Sequence, residues 1–223
     1  THSATEIAAL SGVSKATAAR FFRNLGYTDF DEAKTQAREE RIAHPAQQAH
    51  LRLGLAVMTR DDPDYFPLLV GNHVLGGGGF GSRLVDEIRE QRGYAYSVAS
   101  FLEPRRQAGP FVIALQTRGK QAEEAMALAR ETLARFREQG PTAEELRRAQ
   151  DNIAQGFGLR LDSNRKLIGY VSMMGYYNLP LDWLERYPEA VRAVSVEQVQ
   201  DAFARRIDPA QLVTVRVGGD GRS

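Results

Sequence analysis

The chain has 223 residues, 43% of them hydrophobic, with 29 basic and 28 acidic side chains and a net charge of +1. That is enough for one large domain or two small ones with a core that needs no disulfide or structural metal, and the near-neutral balance argues against both a global nucleic-acid-binding field and an acidic solvating tail. The absence of cysteine excludes disulfides, thiolate zinc sites and cysteine nucleophiles, but leaves the compartment open between periplasm and cytoplasm.

In chain order, short helices are expected over residues 5–10 and 15–25, the second capped by Ser14 and stopped by Gly26. A polar helix then runs from Asp29 or Asp31 to about Ile42. After His44-Pro45 the texture changes. Leu51–Leu55 alternates as a strand, Thr59–Pro63 is a polar turn, and Asp64–Leu75 carries apolar residues at helical spacing. Gly76–Gly79 breaks that helix, and Ser82 caps the next, which ends at Gln91. Two strands follow, Tyr94–Leu102 and Gly109–Thr117. The rest is mainly helical: 121–139, then 143–156 opened by a Thr142/Glu145 capping box, 163–177, 181–194, and 196–206 opened by Ser195. Leu212–Val217 reads as a last strand. The fold class is therefore α+β, a small mainly antiparallel sheet faced by several helices, with a short all-α segment at the N-terminus. No apolar run is long enough to cross a membrane.

Two resemblances attach to particular motifs. The stretch TEIAALSGVSKATAARFFRNLGYTDFDEAK is similar to the N-terminal helix-turn-helix of RpiR-type sugar-responsive regulators. It marks residues 1–40 as a partial DNA-binding-like segment, in which Lys15, Thr17 and Arg20 would face the groove and phosphates. Its five basic and six acidic residues nearly cancel, which weakens the case for DNA. Residues 41–223 form the second expected domain. Within it HPAQQAHLRLG, RDDPDYFPLLVGNHVLGGGGFGSRL, REQRGYAYSV, GPFVIALQTR, LDSNRK, GYYNLPLDW and VTVRVGG occur in the order seen in pitrilysin-type (M16) zinc peptidases, and resemble their C-terminal, non-zinc domain.

That second resemblance implies a clamshell of two similar halves around an extended peptide, with zinc held by the other half through an H-x-x-E-H motif. Here the four histidines, His2, His44, His50 and His73, fit neither that spacing nor H-E-x-x-H. The implied cofactor is zinc in the partner half and none in this chain. The implied partners are an H-x-x-E-H-bearing half or subunit, in a homo- or heterodimer, and a peptide substrate. DNA is a partner only on the helix-turn-helix reading, and a purely structural, core-subunit-like role is the third reading.

The resemblance also implies site residues. The non-zinc half lends an arginine and a tyrosine spaced R-x6-Y, matched by Arg89 and Tyr96. Physically, a guanidinium and a phenol are donors suited to a carbonyl oxygen that gains negative charge. The plain alternative is a surface helix charge and a half-buried strand aromatic. Tyr94, two residues before Tyr96 and expected on the same strand face, is the second tyrosine candidate. Gly76, Gly77, Gly78 and Gly79 follow a helix rather than a strand and are not closed by Lys-Ser/Thr, which argues against a phosphate cradle. A hinge and a contact to substrate backbone both remain open for them. The histidines, and the aromatics Tyr176, Tyr177 and Trp183, are read as structural.

Overall fold

The computed structural model describes residues 38–219 as one continuous stretch. The helix-turn-helix reading, with Lys15, Thr17 and Arg20, lies outside the described residues. The strands are β1 (Glu39–Ile42), β2 (Gln48–Met58), β3 (Ala95–Leu102), β4 (Gly109–Arg118) and β5 (Val213–Gly218). They form a single sheet in the order β1-β5-β2-β4-β3, with β1 parallel to β5 and every other pair antiparallel. The helices are α1 (Tyr65–Asn72), α2 (Val85–Gln91), α3 (Ala122–Gln139), α4 (Ala143–Gly158), α5 (Asn164–Tyr177), α6 (Trp183–Arg192) and α7 (Val196–Arg206).

Period-two burial fixes one face of the sheet as the core face. In β2, Ala49, Leu51 and Leu53 are buried while Gln48, His50 and Arg52 are exposed; in β4, Phe111, Ile113 and Leu115 are buried. Helices cover that face. Phe203 of α7 is the hub, edge-to-face with Phe136 of α3 at 4.8 Å and with Phe111 of β4 at 6.4 Å. Gly71 of α1 lets α7 approach closely, because a Cβ there would run into the Phe203 ring. Asp64, just before α1, receives Arg205 (2.8 and 2.9 Å) and Arg206 (2.7 Å) from the end of α7. The hydrogen bonds from Arg205, against burial, hold its carboxyl below the usual range.

Most expected elements are present. The Thr142/Glu145 and Ser195/Gln198 capping boxes are both closed, and Ser163 accepts from the Lys166 N–H. Three local readings are corrected. The helix expected to reach Ile42 gives way to strand β1, because β5 claims this backbone: Glu39 to Ile42 pair with Thr214 to Val217, and the Thr214 N–H donates to the Arg38 carbonyl at 2.6 Å. A polar four-residue segment, EERI, has no local strand signal, and only its distant partner makes it one. Next, α1 does not stop at the glycines but widens into an i→i+5 turn over His73–Gly77, where the Gly78 N–H donates to the His73 carbonyl. Lastly, Ser82 stands just before the helical residues, which begin at Arg83 and lead into α2, and its carbonyl accepts from the Asp86 N–H at 2.9 Å, but its side chain makes no capping bond. Its hydroxyl donates back to the Gly79 carbonyl at 2.6 Å and ties down the glycine loop.

Candidate functional site

Arg89 lies in the last turn of α2, and the chain reverses into β3 two residues after that helix ends. Gly93 makes the reversal with φ of +62°, a left-handed conformation that glycine adopts without strain. The Gly93 N–H donates to the Arg89 carbonyl (3.0 Å) and the Tyr94 N–H to the Ile88 carbonyl (2.9 Å). Arg89 and Tyr96 thus stand on the two arms of one tight turn.

Tyr96 sits at a β-bulge. Ala95 pairs with Thr117 and Ser97 with Gln116, so Tyr96 is an extra residue opposite a single step of β4. A bulge frees its residue from the ladder and re-aims the side chain. Tyr96 is 81% exposed, although it belongs to a β-strand. Tyr94 differs. It precedes β3, packs partly against the core, and its carbonyl accepts from the Thr117 hydroxyl. The expected equivalence of the two tyrosines on one strand face is therefore corrected, because the bulge breaks the alternation on which it rested. Both still border a shallow pocket of about 310 Å³ with Gln48, Gln116 and Arg118.

The Arg89 side chain is 38% exposed, and its only carboxylate neighbour among the described residues is Glu90 at 3.5 Å. Its guanidinium lies over the Phe80 ring, 4.9 Å from the centroid, and Phe80 is itself 76% exposed. Phe80 thus links the glycine loop to the arginine. Sequence reasoning missed it; the available signal was an aromatic directly after a glycine run, where nothing in the local pattern calls for burial.

The four glycines have different jobs. A Cβ on Gly76 would meet Leu84 and the Ser100 backbone within 2.8 Å, and Gly76 is buried. Its reading as a ligand contact is corrected: it is where α1 packs on β3. A Cβ on Gly77 would meet Asn72, and one on Gly78 would meet His73. Gly79 alone of the run has positive φ, +69°, and open space around its Cβ direction. Beneath the loop, Arg83 makes two 2.8 Å bonds to the Glu145 carboxylate and one of 3.0 Å to the Gly140 carbonyl, while covering Phe136. Burial alone would raise the Glu145 carboxyl, but the hydrogen bonds from Arg83 and the Thr142 N–H outweigh it and hold the pKa at about 2.

His44 and His50 are exposed, and burial lowers the pKa of His73. Among the described residues no three His, Cys, Asp or Glu side chains come together as a metal site. Zinc therefore does not fit the described residues. Also among them, no helix is long and apolar enough to cross a membrane.

Fold and site together define a two-layer α+β domain that presents hydrogen-bond donors at a sheet edge. Residues 13–153 match the family described as the peptidase M16 inactive domain, and the chain belongs to that family. A crystal structure of a peptidase M16 inactive domain from Pseudomonas fluorescens superposes with a TM-score of 0.78 at 38% identity, over 84% of this chain and 45% of that one. A Streptomyces coelicolor protein named an uncharacterized zinc protease is 32% identical over 181 residues, which are 78% of this chain and 38% of that protein. A Helicobacter pylori relative, 30% identical over 56% of this chain and 29% of its own length, is named a non-peptidase homolog. The chain spans less than half the length of these relatives.

Proposed function

We propose that this domain is the non-catalytic half of an M16-type zinc metallopeptidase, binding extended peptide and completing the active site of an H-x-x-E-H-bearing half or subunit. The bulge at Tyr96 carries this reading: an edge strand spends its register to hold a phenol in solvent, one tight turn from Arg89. Peptide would add alongside β3 through main-chain hydrogen bonds. The Asn72 amide already engages the Ser100 carbonyl at 3.4 Å, which limits the added strand to the part of β3 near Tyr96. There the phenol and guanidinium donate to a peptide carbonyl oxygen as it gains negative charge.

The test is hydrolysis of a peptide library by this chain alone and then mixed with an H-x-x-E-H-bearing family half and zinc. The expectation is activity only in the mixture, with a drop of about 100-fold in kcat on Tyr96→Phe, the size of losing one oxyanion donor. A complex that forms, cleaves peptide, and is indifferent to Tyr96→Phe and Arg89→Ala would reject these roles. A complex that forms and cleaves nothing would leave a structural subunit.

A further inference from the structure

A depression walled by aromatic rings lies at the other end of the sheet. β2 runs from Gln48, beside Tyr96, to Met58, about 30 Å away at strand rise. Just past its end Arg60 is anchored by its N–H to the Arg105 carbonyl at 2.8 Å. Around it opens a pocket of about 560 Å³ between α4, α5, α6 and the start of α1. That is the size of an ordinary small-ligand site.

Its composition is selective. The walls are the rings of Tyr65, Phe157, Tyr170, Trp183 and Tyr187, with Phe157 stacked on Tyr187 at 4.2 Å and Trp183 tilted against Tyr187 at 5.1 Å. The charged groups that line it are Arg60, Arg160 and Lys166, all cations. Lys166 is occupied at the rim by Asp162 (2.8 Å) and the Leu159 carbonyl (3.1 Å). Arg60 is held between rings, its guanidinium 4.5 Å from the Tyr65 centroid, 5.2 Å from Trp183 and 5.9 Å from Tyr177. Its Nε is buried with no hydrogen-bond acceptor, and among the described residues no carboxylate pairs with Arg60 or Arg160. Arg60 also hydrogen-bonds the Tyr65 side chain, and stacking on aromatic faces leaves the other in-plane N–H donors of a guanidinium available, in the fork that matches a carboxylate.

We propose that this pocket is a binding site for a carboxylate carried on a flat apolar body, with the acid on Arg60 and the body among Phe157, Tyr170 and Trp183. The ligand is either a free aromatic acid or the C-terminus of a peptide ending in an aromatic residue; the recognition chemistry is the same. The inference is independent of the roles of Arg89 and Tyr96.

Trp183 is the only tryptophan in the chain, so its fluorescence reports occupancy. The full chain is titrated with 3-phenylpropionate, its amide, its amine analogue 3-phenylpropylammonium, and a tetrapeptide ending in Phe with a free carboxylate. The expected result is a saturable change with the acid or the peptide, and binding at least about tenfold weaker for the amide and the amine. Arg60→Gln weakens the acid about tenfold, and Arg60→Lys recovers part of the loss. Gly169→Leu fills the pocket, and since a Cβ there meets nothing within 4 Å, the fold is kept while the ligand is excluded. Saturation by the peptide alone identifies a peptide end as the occupant, and saturation by the small acid alone a metabolite-sized ligand. An amide that binds as well as the acid, a Gly169→Leu chain that binds unchanged, or no saturation by either acid up to about 10 mM overturns the proposal.

Discussion

Helices α1 and α5 are both rich in apolar residues, but only α1 is built into the molecule. α1 buries Tyr65, Leu68, Val70, Gly71 and Asn72 against the sheet and α7, and the Asp64 cluster ties its start to the end of α7. α5 buries only Met174, and leaves Leu167, Ile168 and Val171 in solvent, Ile168 at 61%. Hydrophobic content makes a helix plausible, but only packing decides which helix holds the fold and which lies on its surface. α1 and its neighbours should therefore carry the stability, while the exposed side of α5 can change at little cost.

The strongest way to break this comparison is at the hub. Phe203→Ala removes a fully buried ring from between Phe111, Phe136 and Gly71, and should cost about 3–5 kcal/mol in urea unfolding. A cost below about 1 kcal/mol would mean that the core is not centred on α7.

Next is the clamp below the glycine loop. Arg83→Met leaves Glu145 half-buried without its partner and should cost about 2–3 kcal/mol near neutral pH. The pH dependence sharpens this. The Glu145 carboxyl has a folded pKa of about 2 against an ordinary 4.5, so its contribution is complete above about pH 4.5 and is lost as pH falls toward about 2. The wild-type urea midpoint should fall across that window, and the Arg83→Met midpoint should fall less steeply. Parallel profiles would remove Glu145 from the account.

The smallest effect is on α5. Ile168→Ser should move the unfolding free energy by no more than about 0.5 kcal/mol, because the side chain is already in water. A loss of several times that size would show that this face is covered in solution.

Much of the fold was legible because its signals are local. The capping box Thr142/Glu145, the helix start at Ser195 and the two strands that became β3 and β4 need only neighbours along the chain. β1 was not legible, because its strand character comes wholly from pairing with β5, more than 170 residues away. The site divides in the same way. Arg89 and Tyr96 were implied by the family resemblance through its R-x6-Y pattern, but the bulge that exposes Tyr96 depends on how β3 registers with β4. Arg60 went unremarked in a polar turn, because the rings that surround it come from α1, α5 and α6 and meet only in three dimensions.

The bulge has one more consequence. β3 is an eight-residue edge strand, AYSVASFL, without a single charge, which is the kind of segment that invites sheet-to-sheet association between molecules. The break in register at Tyr96 and the Asn72 amide on the Ser100 carbonyl leave only a short regular stretch of the edge between them for an added strand. What is left between them is shorter than the six or seven residues that a stable cross-strand stack requires. The irregularity that holds a tyrosine in solvent thus also limits how long a strand can add at this edge.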